Sequence, residues 1–437
     1  MTHEPHDAPK TTTFRVDVLT RLEGEGRFHL EMRGDEVVRA ELSIFEAPRF
    51  FEALLQGRSI DEVPDIVARI CGICPIAYQM SSSSALEMAA GHRASQGITD
   101  LRRLMYCGEW IESHALHVFM LHAPDFLGYP SVVEMAADHR EIVERGLRIK
   151  KTGNRIVEVL GGRAIHPVSV RVGGFTRTPT RRELAELRKE LEVAVEEADE
   201  TVDWVAGLDT PDFSQDYTFV ALRSDRYPLE TGDALVVTGR DPVPLEDFEK
   251  AFVESHVEHS NALQCRLSDG TAYLTGPMAR LAHFADALHP RASAARERVR
   301  LPVPVLNPFR SIVVRAIEIL HACAEAIDLI DAYAPIDPPF EAPEPRDAVG
   351  FGASEAPRGV CWHRYETCAD GTIAKATIVP PTSQNQARIE QDLIGIASEL
   401  VALPHDRAVH RCEQLIRAYD PCISCATHFL KLEIERR

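Results

Sequence analysis

Over its first forty-odd residues the chain alternates apolar and polar positions. FRVDVLTRLEGEGRFHLEMRGDEVVRAELSIF keeps a period of two on both sides of a Gly34-Asp35 turn, which predicts a small antiparallel β region over 14–48. From about Phe50 the spacing becomes helical. Residues 181–206 place Leu184, Leu187, Leu191 and Val195 on one stripe with acids and bases opposite, and Thr180 with Glu183 forms a capping box at their start. Further helices are expected at 98–122, 134–159, 244–265, 308–332, 384–402 and 405–418, and strands at 216–240, 271–276 and 358–379. The proline-rich stretch 334–348 reads as an extended surface connection. Strands and helices do not alternate regularly, so the expected class is a helix-rich α+β body with a central helical bundle and small peripheral antiparallel sheets. Residues 1–13 read as a flexible N-terminus, 14–428 as a single domain and 429–437 as a C-terminal extension.

Composition narrows the function classes. The chain has 437 residues, 45% of them hydrophobic and 26% charged, and a formal net charge of −19. Such a surface repels phosphate backbones and anionic lipid, so neither nucleic acid nor a membrane surface is an expected partner. No run approaches the roughly 20 apolar residues of a membrane span. The opening MTHEPHDAPKTTT lacks the basic and apolar regions of a secretory signal, so the expected compartment is the cytoplasm.

Of the ten cysteines, six are scattered. The other four form two C-x-x-C pairs, Cys71/Cys74 in Arg69-Ile-Cys-Gly-Ile-Cys-Pro75 and Cys422/Cys425 in Asp420-Pro-Cys-Ile-Ser-Cys-Ala-Thr-His428. That spacing lets two sulfurs reach one ion. Asp420 fits a helix N-cap and Pro421 the first helical position, which puts Cys422 in a first turn whose dipole favours thiolate. The pairs lie at opposite ends of the chain, so only the complete fold can unite them. A structural zinc site is the plain alternative, although zinc ribbons keep their pairs within one small module. A disulfide redox motif lacks the surrounding strand pattern.

R-x-C-G-x-C near one end with D-P-C-x-x-C-x-x-H near the other resembles the large subunit of nickel–iron hydrogenases. Further blocks extend the resemblance: Arg21-Leu-Glu-Gly24, Arg49-Phe-Phe-Glu-Ala-Leu-Leu-Gln-Gly-Arg58, Glu112-Ser-His-Ala-Leu-His117, Glu355-Ala-Pro-Arg-Gly359 and Pro380-Pro-Thr-Ser-Gln-Asn385. The segments 74–80 and 112–117 look most like the cytoplasmic, pyridine-nucleotide-linked branch, which includes the alpha subunits of sulfhydrogenases.

The resemblance implies heterolytic cleavage of dihydrogen at a nickel held by four thiolates, beside an iron carrying carbonyl and cyanide. Cys71 and Cys422 would bind nickel alone, while Cys74 and Cys425 would bridge to iron. Glu23 matches the family's proton-transferring glutamate and Arg358 the arginine over the open metal position. Pro357, Arg358 and Thr382 match the contacts to the cyanides. Glu52 and His428, with a backbone carbonyl near Ile378, match ligands of a magnesium or second iron ion. The extension Phe429–Arg437 would be cut from His428 by a maturation endopeptidase after nickel-insertion proteins have acted. His114 and His117 read as hydrogen-bonded core residues.

Three positions depart from the family pattern. Tyr78 stands where a histidine is common and can donate one hydrogen bond towards a bridging sulfur. Glu25 follows Gly24 in place of histidine, and Ser113 replaces an aspartate, leaving Arg358 one carboxylate fewer. The chain has no GxGxxG, no Walker loop and no further iron–sulfur spacing. Electrons must therefore leave through an iron–sulfur small subunit, with flavin and NAD(P)-binding diaphorase subunits beyond it. Two other readings are a metal-free, quinone-binding protein of the complex I type and a zinc-stabilised protein that catalyses nothing.

Overall fold

A computed structural model describes residues 11–34 and 36–427. The expected class is observed: long helices form the centre, and small antiparallel sheets lie around them. Strands Thr11–Val16, Gly26–Arg33 and Glu36–Ile44 pair in chain order. Phe14, Phe28, Leu30, Met32 and Leu42 point into the core and Arg15, Arg27 and Arg39 outward, as the period of two demands. The first strand begins at Thr11, so residues 11–13 are sheet rather than the expected loose terminus.

The centre is built from the helices Gln96–Ala115, Arg140–Gly161, Arg181–Ala206 and Ser311–Asp331. The third has the expected bounds and both halves of the capping box between Thr180 and Glu183. The first and second cross closely: a Cβ on Gly153 would lie 2.6 Å from the Gly108 carbonyl oxygen. Expected helix 98–122 keeps its α geometry only to Ala115 and continues as a π-turn over Leu116–His122. Expected helix 134–159 is broken at His139 into Val132–Asp138 and Arg140–Gly161. The remaining helices Pro381–Val401 and His405–Ala418 lie close to their expected bounds.

The expected helix 244–265 is a correction. A helical turn, Phe248–Ala251, is followed by a hairpin of Phe252–Val257 and Ser260–Leu267. Its acidic residues favour a helix locally, yet Ala262, Leu263 and Cys265 are buried in a strand beside helix Pro381–Val401, and tertiary packing overrides the local preference. At 271–276 there is no strand, only an isolated bridge between Phe219 and Leu274, and 216–240 holds the short strands Val220–Leu222 and Ala234–Val237. The expected strands at 358–379 are Gly359–Thr367 and Ile373–Val379. A third strand, Ala348–Ala356, joins them at the end of the proline-rich stretch.

One helix escapes the apolar-stripe criterion altogether. Pro75–Ala90 is buried on nearly every side, serines included, so it has no polar face to reveal its period. It lies on strand Ala348–Ala356 so closely that a Cβ on Gly350 would sit 1.9 Å from the Ala85 carbonyl oxygen. Gly350→Ala should therefore force the helix off the strand and lower unfolding stability by about 1–3 kcal/mol, read by chemical denaturation. An unchanged midpoint would mean the two elements are not in this contact.

Candidate metal centre

Both cysteine pairs sit at the start of a helix. Cys74 is the N-cap of Pro75–Ala90, and the carboxylate of Glu109 accepts from the exposed amides of that first turn, Ile76 N at 2.6 Å and Ala77 N at 3.2 Å. Cys71 is held one turn earlier, its sulfur accepting from Ile73 N at 3.3 Å. Cys422 is the N-cap of the short helix Ile423–Ala426, which carries Cys425.

The cap expected from Asp420 is supplied by a different residue. Asp420 has φ 52 and lies before the helix, so its side chain does not cap it. Glu23 does so from the other end of the chain, accepting from Ser424 N at 2.9 Å and from the Cys422 thiol at 3.1 Å. Its carbonyl also accepts from Ile423 N at 3.0 Å. Arg49 adds a second tie, donating to the Ile70 carbonyl at 2.5 Å and to that of Ser424.

These ties bring the four sulfurs together. Cys71 lies 3.5 Å from Cys422, Cys74 lies 3.3 Å from Cys425, and Cys422 lies 2.8 Å from Cys425. All four are buried and lie within 4.8 Å of one another, making this the sole group of its kind among the described residues. The separations exceed the roughly 2.05 Å of a disulfide. They approach the edge of about 3.8 Å that four sulfurs share around one ion at 2.3 Å. The donor set therefore fits a soft metal. Thiol contacts from Cys422, Cys425 and Cys74 hold Cys71 well below the usual thiol range, while burial pushes Cys422 and Cys425 up.

Arg358 stands over this cluster, fully buried. Its Nε donates to the Asp420 carbonyl at 2.7 Å, Nη2 to Asp420 Oδ1 at 3.0 Å and Nη1 to Ser113 Oγ at 3.5 Å. Asp420 is thus the buried carboxylate partner of Arg358, and Ser113 adds a hydroxyl. Burial alone would lower the guanidinium, but Asp420 and the sulfurs of Cys422, Cys74 and Cys71 outweigh it and hold it well above its ordinary value. Thr382 Oγ accepts from Cys422 N at 3.0 Å, and the Pro357 carbonyl accepts from Arg280 at 3.1 Å. Arg280 is itself locked by Glu318 and Glu355, a buried trio that fixes the turn carrying Arg358. Two buried polar atoms near the sulfurs, Tyr78 Oη and Asp420 Oδ2, have no hydrogen-bond partner among the described residues. Tyr78 therefore makes none of the hydrogen bonds to sulfur that its position suggested. An orphan donor and an orphan acceptor beside four sulfurs are what a chain built around a further polar group would leave.

The second expected ion site is described in part. Glu52 Oε1 accepts from the Ile378 amide at 2.7 Å, so two of the expected ligand residues lie side by side. Burial pushes Glu52 up to about 7. His363, opposite Ile378 in the sheet and fully buried, was not singled out by the sequence. His428 and the 429–437 extension lie outside the described residues. The sequence likewise gives no role to Glu109 or Arg280, and gives Asp420 a cap in place of its pairing with Arg358. Their only local signal is a charge within an apolar context.

The geometry has counterparts among known proteins. The profile of a family described as nickel-dependent hydrogenase matches residues 49–146 and 311–428. The alpha chain of sulfhydrogenase 1 from Pyrococcus furiosus is 33% identical over 95% of this chain and 98% of its own. The alpha chain of the coenzyme F420 hydrogenase from Methanocaldococcus jannaschii is 25% identical over 98% of this chain and 96% of its own. A crystal structure of an NAD+-reducing [NiFe]-hydrogenase in the H2-reduced state superposes with a TM-score of 0.89 at 28% identity, covering 97% of this chain and 100% of that one. The chain belongs to the nickel-dependent hydrogenase family. Within that family it is a large subunit, a hydrogenase in fold and in its four-cysteine centre.

Segment 112–117 confirms its histidines as core residues. His117 Nε2 lies 2.7 Å from the Arg417 carbonyl, and His114 Nε2 lies 2.9 Å from Glu318. Burial lowers His114 to about 4, and also lowers His117 and His122 well below the ordinary value. The unfolded chain therefore binds protons here that the folded one refuses, and stability should fall as pH drops from about 6.5 towards 4, by up to about 1.4 kcal/mol per unit for each ring. Denaturation across that window should show His122→Gln with a shallower acid slope than the parent. Equal slopes would mean that His122 is protonated in the fold.

Proposed function

We propose that this chain is the hydrogen-cleaving subunit of a nickel–iron hydrogenase. The observation that carries the reading is four buried sulfurs from opposite ends of the chain within 4.8 Å of one another, with the Glu23 carboxylate 3.1 Å from one of them. In this reading Cys71 and Cys422 bind nickel alone, while Cys74 and Cys425 also bind an iron with carbonyl and cyanide ligands. The metals supply the place where dihydrogen is cleaved heterolytically. Everything else falls to the protein. Glu23, in hydrogen-bond reach of the Cys422 sulfur, receives the proton, because a carboxylate at that distance is placed to act as general base. Arg358 stays charged and acts through its field and its donors. Thr382, Pro357 and Arg358 surround the cyanides. Glu52, Ile378 and His428 hold a magnesium or iron ion that ties the two ends of the chain.

Beyond the site, electrons pass to an iron–sulfur small subunit, then through flavin to NAD(P). The relative that reduces NAD+ supports this, and the likeness to a sulfhydrogenase supports sulfur reduction as a side activity. Among the described residues no helix is long and apolar enough to cross a membrane. In this reading the assembly works in the cytoplasm. Residues 429–437 are removed by an endopeptidase once nickel has been inserted.

Elemental analysis of the isolated complex should find nickel and iron together. One zinc or no metal would overturn the assignment. Cys425→Ala should lose both metals and retain the tail, read by metal content and mass. Full metal content would refute bridging. Glu23→Gln should keep its metals yet slow hydrogen–deuterium exchange by roughly 10²-fold or more. Unchanged exchange would place the proton's exit elsewhere.

A further inference from the structure

A second buried carboxylate lies near the centre with a path towards water. Glu112, on helix Gln96–Ala115, is 7% exposed, and its Oε2 lies 2.9 Å from Nζ of Lys150 on helix Arg140–Gly161. The Lys150 side chain is 25% exposed, so this pair joins the interior to solvent. The crossing of the two helices sets the geometry. A Cβ on Gly153 would lie 2.6 Å from the Glu112 amide nitrogen, and this contact brings Lys150, one turn earlier, against the carboxylate.

On the inner side Glu112 is followed by Ser113, whose hydroxyl lies 3.5 Å from Arg358 Nη1. The charged and titratable groups around Glu112 are Lys150, Arg358, Cys71 and, one turn back, Glu109. Glu109 is already committed to the amides of Ile76 and Ala77. Burial pushes Glu112 up to about 7, although Lys150 and Arg358 oppose it. A carboxyl in that range both takes up and gives up a proton near neutrality.

We propose that Glu112 and Lys150 form a second proton exit from the centre, separate from Glu23. The proposal rests on the assigned hydrogenase activity. The Glu112 carboxylate takes one proton that hydrogen cleavage releases on the sulfur side and becomes neutral, while Arg358 keeps its charge. The Lys150 ammonium releases its own proton to water, and the carboxyl then passes its proton to the Lys150 amine, which restores the ion pair. No electrons move in these steps.

The test uses the complete complex and follows hydrogen–deuterium exchange between about pH 5 and 9, with nickel and iron measured on the same preparations. Glu112→Gln keeps a side chain that can hydrogen-bond to Lys150 but cannot carry a proton. It should keep both metals, slow exchange on the order of 10-fold, and remove the ionisation near neutral pH from the rate profile. Glu112→Asp should restore most of the rate, and Lys150→Met should slow exchange with metals intact. A parental rate and profile in metal-replete Glu112→Gln would overturn the proposal, since an ion pair that only joins two helices predicts that result. If Glu112→Gln fails to take up metal, the profile of Lys150→Met decides alone, and a parental profile there overturns the proposal equally. Absence of exchange in the parent complex would instead overturn the assigned function.

Discussion

With Arg49 as a second tie, the chain is closed on itself where Glu23 grips the start of the last described helix. Its carboxylate bonds to the Ser424 amide and the Cys422 thiol, and its backbone carbonyl to the Ile423 amide. Without these ties the helix of Cys422 and Cys425 would lose much of what sets it against Cys71 and Cys74, which are held by a different helix start and by Glu109. Ordering two distant segments costs conformational entropy that no local contact supplies. The site is therefore a product of the whole fold, and a metal binding all four sulfurs would tighten the same closure.

Around the sulfurs the protein has placed charge where burial makes it expensive. Arg358 with Asp420, and Arg280 with Glu318 and Glu355, are fully enclosed ion groups. Such groups are poor sources of stability because desolvation offsets their attraction, but each fixes direction. Arg280 holds the backbone of Ala356 and Pro357, and through it the guanidinium of Arg358 over the cluster. Rigid placement of a permanent positive charge beside the four sulfurs is what the low-dielectric interior makes effective.

Much was legible along the chain because it was local. Alternation marked the N-terminal sheet, an apolar stripe marked 181–206, and Thr180 with Glu183 marked that helix's start. These signals depend only on near neighbours. Where they misled, a long-range contact won: 252–267 became a hairpin because its apolar residues are buried beside the 381–401 helix, and Asp420 lost its capping role when its backbone turned left-handed and its side chain went to Arg358. Pro75–Ala90 showed no stripe because it has almost no wet side.

The two C-x-x-C pairs, the acid in Arg-Leu-Glu-Gly and the arginine in Glu-Ala-Pro-Arg-Gly were set by residue identity and spacing alone, since the chemistry of thiolate, carboxylate and guanidinium travels with the side chain. Folding decided which groups meet. It chose Glu23 rather than Asp420 as the cap, Asp420 as the partner of Arg358, Glu109 beneath Cys74, and the crossing that sets Lys150 on Glu112. Those choices turn on distances of a few ångströms between segments far apart in the chain, and no periodicity along the chain encodes such distances.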